Sequence, residues 1–333
     1  MDLTKLKDVL KKEPSYRFKQ AEKLVFQDLI DNWSQAKTLP LELREELNKE
    51  CPLKIDIQAS VSKDEKSIKA LVFLSDGLRV ETVLMRHKDN RNTVCVSSQV
   101  GCPLGCSFCA TGRIGFKRNL LVFEIIEQVL FFSRYLKSKG EKVTNVVFMG
   151  MGEPFLNYDN VLEAIKILNN KEGFGLGARH FSISTVGISE GIKRLSEEKI
   201  QINLAISLHA PKDDLRSSIM PVNKKYPISK VLEAVDGYVK ETKRRVMFEY
   251  VMIKDVNDSD EEAGELVKLM KGSLYFVNLI SYNPTGVFRP SSPDRIKRFK
   301  EILERKGISV TQRYRFGSEL KAACGQLAGK SNG

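Results

Sequence analysis

From residue 93 onward, strand-like runs alternate with amphipathic helical ones, and no other feature narrows the fold as far. The strand-like runs are TVCVSS, TNVVFMG, HFSIST, INLAISL, RVMFEYVMI and LYFVNLIS. The helical runs that follow them in turn are LVFEIIEQVLFFSRYLKSK, NYDNVLEAIKILNN, ISEGIKRLSEE, PISKVLEAVDGYVKETK, SDEEAGELVKLMK and SPDRIKRFKEILERKG. Six β–α units in a row predict a parallel sheet with crossover helices. Either a doubly wound open sheet or a barrel of fewer than eight units, open on one side, would satisfy that pattern. Polar residues at the strand ends favour the barrel. Glu153 follows the second strand, Ser184 ends the third, Ser207 and His209 end the fourth, and Asn283 follows the sixth. Barrels of this kind gather their chemistry at that face. The predicted class is α/β, with a partial (β/α)6 barrel as its core.

Upstream the pattern changes. YRFKQAEKLVFQDLIDNW has apolar residues at helical spacing, and a second helix starts at Leu41 after Pro40. Residues 66–86 alternate as a hairpin, KSIKALVFL and LRVETVLM about the turn Ser75-Asp76-Gly77. The expected division is a small N-terminal helical domain (1–62), a β-hairpin linker (63–88), the core (89–322) and a C-terminal segment (323–333). The start, MDLTKLKDVLKKEP, lacks the apolar stretch of a signal peptide. No apolar run approaches the roughly 18 residues of a membrane span, so a cytoplasmic protein is expected. Net charge is +12, yet residues 1–60 hold 11 basic and 11 acidic residues. The excess therefore lies from residue 61 onward, at Arg113, Lys117, Arg118, Lys240, Lys243, Arg244, Arg245, Arg295, Lys297, Arg298, Lys300, Arg313 and Arg315 among others. That distribution predicts a polyanionic partner for the core, such as a nucleic acid.

Three of the six cysteines share one loop after the first barrel strand: Cys102, Cys106 and Cys109, in Gly-Cys-Pro-Leu-Gly-Cys-Ser-Phe-Cys. Cys-x3-Cys-x2-Cys supplies three thiolates, one fewer than a structural zinc site or an ordinary iron–sulfur cluster needs. A cluster held this way leaves one iron open. Met-Gly-Met-Gly-Glu-Pro (149–154) ends the second strand; its glycines are expected to let backbone approach a ligand, and Glu153 to accept from an ammonium group. The three histidines, His87, His180 and His209, are scattered. Cys51 reads as a packing residue. Cys95 on the first strand and Cys324 in Ala-Ala-Cys-Gly-Gln-Leu each read singly as core, although the small neighbours of Cys324 would admit a bulky ligand.

The cysteine loop and MGMGEP, together with ISTVG, ISLHAP, MPVN, YNP and the terminal ACGQL, resemble the RlmN/Cfr family of radical S-adenosylmethionine (SAM) RNA methyltransferases. The resemblance runs from Tyr16-Arg17-Phe18-Lys19-Gln20 to Cys324-Gly325-Gln326-Leu327. It implies a radical SAM core with a [4Fe-4S] cluster on Cys102, Cys106 and Cys109. It implies SAM against Gly152, Glu153, Ser184, Ser207, Leu208, His209 and Asn283. It further implies that Cys324 carries a methyl group during turnover, that Cys95 resolves the adduct through a transient disulfide, and that Glu81 accepts a proton. Without the family, Glu81 in Val-Glu-Thr-Val reads as a solvent-facing strand residue. The implied target is an adenine ring carbon bearing hydrogen, too weak a nucleophile for direct methyl transfer, so two SAM molecules are consumed per turnover. The implied substrates are 23S rRNA, at an adenosine of the peptidyl-transferase centre, and tRNA, at the adenosine beside the anticodon, both at C2. The Cfr branch methylates C8 of the same rRNA adenosine and confers antibiotic resistance. VSSQVGC is similar to the first branch, whereas Ala110-Thr111-Gly112, the gap from Glu81 to Cys95 and NLISYNP are similar to the second. C2 is the expectation. A reductant such as flavodoxin and a monomeric enzyme are expected as well.

Overall fold

One ten-stranded sheet organises the computed structural model, in which residues 3–313, 320 and 322–329 are described. Arg315 and the tail beyond Gly329 lie outside the described residues. In chain order the strands are β1 (Ile57–Val61), β2 (Ser67–Phe73), β3 (Arg79–Arg86), β4 (Asn92–Val96), the ribbon strands β5 (Gln99–Gly101) and β6 (Phe116–Asn119), then β7 (Asn145–Phe148), β8 (Phe181–Thr185), β9 (Asn203–Ser207), β10 (Val246–Met252), β11 (Tyr275–Ser281) and β12 (Val310–Gln312). The sheet order is β1-β2-β3-β4-β7-β8-β9-β10-β11-β12, with β5 and β6 paired separately. From β4 to β12 every pairing is parallel. Each new strand joins beside its predecessor, whereas a doubly wound sheet reverses at a switch point. β1 and β12 stand at opposite ends of the sheet, so the barrel is partial and open, as predicted.

The sheet holds more than the six strands expected of the barrel. β12 is a seventh parallel strand; three residues with two of them exposed leave no periodic signal. The hairpin β2–β3 forms as expected and joins the main sheet. β3 pairs antiparallel with β4, placing Val83 opposite Cys95, and β1 adds outside β2.

Helices α1 (Leu3–Leu10), α2 (Tyr16–Phe26) and α3 (Leu41–Glu50) form the N-terminal region. α2 stops seven residues before Trp33, although the apolar spacing continues, and Leu29 takes φ 54° in the turn. The turn places Trp33 in the core, fully buried, with its indole N–H on the Cys51 carbonyl at 2.8 Å. Then come α4 (Ala110–Arg113) and α5 (Val122–Lys137), which buries Ile125, Ile126, Val129, Leu130, Phe132 and Leu136 on one face. Each such side chain removed from water contributes about 1.5–3 kcal/mol. The opposite end of α5 ties down the N-terminal region: Arg134 donates to the Ile30 carbonyl at 2.8 Å and Lys137 to that of Asp28 at 2.6 Å. The remaining helices are α6 (Tyr158–Asn169), α7 (Ser189–Glu197), α8 (Asp213–Ile219), α9 (Ile228–Thr242), α10 (Asp260–Leu269) and α11 (Pro293–Arg305). Ser259 and Ser292 accept from the third amides of α10 and α11, the caps that start these helices.

Some of the basic residues face acids of the chain itself. Arg118 pairs with Asp76 and Glu124, while Arg295 and Arg298 share Asp260. Those acids are already subtracted in the net charge of +12, so the excess over the core stands.

Candidate active site

The strand ends of the barrel surround a cavity of about 160 Å³. Cys102, Cys106 and Cys109 line it, as do Gly152, Glu153, Ser184, Ser207, His209, Asn283 and Cys324. Ten of the thirteen residues expected at the site therefore meet in one space. Leu208 does not line it: its side chain is fully buried, and its carbonyl accepts from Arg216 at 3.0 Å. Cys95 lines a second, small cavity of about 30 Å³. Cys324, Asn283, Arg313, Met149, Ile280 and Leu327 border both, so Cys324 sits where the two spaces meet. Glu81 borders neither.

The ribbon β5–β6 closes the base of the cysteine loop. The Cys102 amide donates to the Gly115 carbonyl at 3.0 Å, and that of Cys109 to Cys106 at 3.1 Å. Gly101 has φ 77°, and a Cβ there would lie 1.8 Å from the Gly115 oxygen, so only glycine fits. At the end of β7, Gly152 has φ 100°, and a Cβ would meet the Gln99 side chain at 2.5 Å. The glycines of MGMGEP were expected to admit a ligand. Their immediate demand is packing against residues 97–99, the lead-in to the cysteine loop. Burial holds Cys102 and Cys106 as thiols: Cys102 is pushed up to about 12, and Cys106 is raised further, with the other two cysteines adding to it. Metal binding would release those protons.

Glu153 is buried. Its carboxylate accepts from the amides of Phe155 at 3.1 Å and Val186 at 3.0 Å. Burial raises it to about 7, and the groups that oppose the shift are all neutral donors. A buried carboxylate beside a cavity with no cation holding it suits an incoming ammonium. Three thiols on one loop and this carboxylate together fit a three-thiolate cluster with SAM alongside. His209 (φ 61°) accepts from the Val251 amide through Nδ1 at 3.1 Å. Burial, then the nearby Arg216, depresses it to about 3, so the ring is neutral at physiological pH.

The chain's end returns over this rim. Ala110 N–H donates to the Gly325 carbonyl at 2.7 Å, Thr111 Oγ1 to that of Leu327 at 2.6 Å, and Asn283 Nδ2 to that of Cys324 at 3.2 Å. Ala328 N–H donates to Glu81 at 2.7 Å, and Lys69 pairs with the same carboxylate at 3.1 Å. Glu81 is thus buried, not solvent-facing: Lys69 of β2 and the returning tail both hold its carboxylate. Cys95 is raised to about 12, first by burial and then by the charge of a Cys324 thiolate.

Sequence reasoning missed Glu249 and Arg313. Glu249 accepts from Ser184 Oγ at 2.5 Å and pairs with Arg313 at 3.3 Å; Arg313 also reaches Met149 Sδ at 3.1 Å. A lone acid inside the apolar run RVMFEYVMI was the available signal for Glu249. Arg313 had none beyond its charge.

The family model of the radical SAM superfamily matches residues 96–267. The chain is 46% identical over 330 residues to "Probable dual-specificity RNA methyltransferase RlmN" of Dictyoglomus thermophilum, covering 98% of this chain and 94% of that protein. It is 43% identical to "Ribosomal RNA large subunit methyltransferase Cfr" of Lachnoclostridium phytofermentans, at 96% and 95% coverage. The crystal structure of a radical SAM methyltransferase from Sphaerobacter thermophilus superposes with a TM-score of 0.95 at 44% identity, covering 99% of this chain and 98% of that one. Cavity, cysteine loop and relatives agree: this chain is a radical SAM enzyme of the RlmN/Cfr family of RNA methyltransferases.

Proposed function

We propose that the enzyme methylates C2 of adenosine in 23S rRNA, at the peptidyl-transferase centre, and in tRNA beside the anticodon, with Cys324 as methyl carrier. One observation carries this reading: Cys324 borders both the cavity walled by the loop cysteines and the cavity walled by Cys95. A single sulfur can thereby be loaded on one side and released on the other. Cys102, Cys106 and Cys109 would hold a [4Fe-4S] cluster; Glu153 would take the SAM ammonium, with Gly152, Ser184, Ser207, His209 and Asn283 around it and Leu208 backing the strand end. Once bound and reduced by a donor such as flavodoxin, cluster and SAM supply a carbon-centred radical able to take hydrogen from a methyl group.

The remaining work belongs to the protein. Cys324 sulfur takes a methyl group from a first SAM, a displacement that suits a thiolate and not a ring carbon; a second SAM serves the hydrogen removal. Glu81 receives the ring proton, and for that its bond to the Ala328 amide must open. Cys95 sulfur then bonds to Cys324 sulfur as the bond from Cys324 sulfur to the transferred carbon breaks; that carbon takes up a proton to become the methyl group, and an external dithiol must reduce the disulfide before the next turnover. Burial keeps Cys95 protonated, so it does not attack early. Among the described residues no helix is long and apolar enough to cross a membrane, and we take the enzyme to be a cytoplasmic monomer.

The test is nucleoside mass spectrometry of rRNA and tRNA from cells lacking their own enzyme and carrying this gene. The expected product is 2-methyladenosine in both RNAs, lost in Cys324→Ala. Formation of 8-methyladenosine without 2-methyladenosine would overturn the assignment of the carbon. Methylation persisting in Cys324→Ala would overturn the carrier.

A further inference from the structure

We propose that Arg216 is a resident counter-charge for the cluster of the cysteine loop, a positioning residue that raises the cluster's reduction potential. This inference rests on the reading that Cys102, Cys106 and Cys109 hold that cluster.

Arg216 is completely buried. All five guanidinium N–H groups are used, and every acceptor is neutral. Nε donates to the Leu208 carbonyl at 3.0 Å; Nη1 to Asn223 Oδ1 at 2.6 Å and the Tyr226 carbonyl at 3.0 Å; Nη2 to the carbonyls of Val186 at 2.6 Å and Ser207 at 3.3 Å. Hydrogen bonding is complete, but the charge is not neutralised by any carboxylate in contact. A buried cation without an anion is costly to keep. Four titratable groups surround it. Asp213 is one side chain removed, since Asn223 Nδ2 donates to Asp213 Oδ1 at 2.9 Å. Glu153 lies across one residue, taking the Val186 amide while Arg216 takes the Val186 carbonyl. His209 is neutral, and the fourth is Cys106. Cys106 and Arg216 lie near enough to feel each other's charge, as they would with the thiolate on iron.

The backbone brings these parts together. α8, which carries Arg216, ends on the cysteine loop: both the amide and the hydroxyl of Ser107 donate to the Ile219 carbonyl, at 3.0 and 3.3 Å. The guanidinium itself gathers the carbonyls of Val186, Ser207 and Leu208, at the ends of β8 and β9. One side chain thus joins the loop that would hold iron to the strand ends that would hold SAM.

The electrostatics follow. Three thiolates give an oxidised cubane a net negative charge, and one-electron reduction adds another. A fixed cation behind Cys106, in a low-dielectric setting, stabilises the reduced form more than the oxidised one. The electron comes from a low-potential one-electron donor, dithionite in the experiment below, and no atom is transferred.

The experiment is a redox titration of the anaerobically reconstituted full chain, followed by electron paramagnetic resonance of the reduced cluster, for wild type, Arg216→Gln and Arg216→Lys. Arg216→Gln should shift the reduced-to-oxidised ratio at least tenfold toward oxidised, a midpoint about 59 mV lower for a one-electron couple. Arg216→Lys keeps the charge and loses most of the carbonyl bonds, so its midpoint should stay near wild type while SAM binding weakens several-fold. A wild-type midpoint in Arg216→Gln, or an equal drop in both variants, overturns the proposal. If Arg216→Gln takes up no iron, Arg216→Lys decides: a shift of about 59 mV or more sinks the idea. Failure of the wild type to take up a cluster would overturn the functional reading itself, a separate result.

Discussion

Burial decides the chemistry of individual residues here more than identity does. Glu153 has an ordinary carboxylate value near 4.5 when unfolded and about 7 when folded. The folded chain therefore keeps a proton that the unfolded chain releases between those values. Its favourable contribution is full below pH 4.5 and lost as pH rises through 7, about 3 kcal/mol in all. Glu153→Gln does not titrate. Thermal melts of the cluster-free protein should show the variant gaining on wild type from pH 5 to pH 8; a constant gap would refute burial as the cause. SAM binding should run the opposite way in wild type, tightening as pH rises through 7 because the carboxylate form pairs with ammonium, and this trend should vanish in Glu153→Gln. Glu81 makes a second case. Glu81→Ala removes the carboxylate that faces Lys69 and Ala328 inside the protein. Urea unfolding should show a loss of about 3 kcal/mol, as for a buried pair deprived of one partner.

At the scale of elements, the cysteine loop depends on its ribbon. Gly101→Ala would drive a methyl group into the Gly115 carbonyl, so β5 and β6 cannot keep their register. Iron taken up per chain on reconstitution should fall by about half or more, since the strained turn opens, while far-UV circular dichroism stays that of wild type. Loss of the whole circular dichroism signal would mean that the ribbon supports the barrel rather than the loop alone. The cysteine spacing was legible because its three donors lie within eight residues. The ribbon was not, because strands of three and four residues carry no periodicity. Likewise Gly152 was legible as a special backbone position, but its partner, the Gln99 side chain, was not.

Across the whole molecule, charge and topology act over long distances. The excess of +12 lies beyond residue 60. Binding of an rRNA fragment should therefore weaken about tenfold or more between 50 and 200 mM salt. A flat salt response would show that the excess positive charge does not face the RNA. The N-terminal region is anchored through α5 by backbone carbonyls of residues 28 and 30. If it selects RNA, a chain lacking residues 1–60 should fold yet lose methylation; full activity would make it a packing element only. The amino-acid order determined the strand-and-helix alternation, the open barrel and the three-thiolate loop, because each is a local pattern that repeats or closes within a few residues. Only the tertiary structure decided that Glu81 is buried, that Cys324 meets both cavities, and that the buried Arg216 gathers the carbonyls of Val186, Ser207 and Leu208. Those relations join positions as far apart as the 247 residues between Glu81 and Ala328. Contact at such separation depends on how the sheet curls and where the tail returns, and no local pattern encodes that.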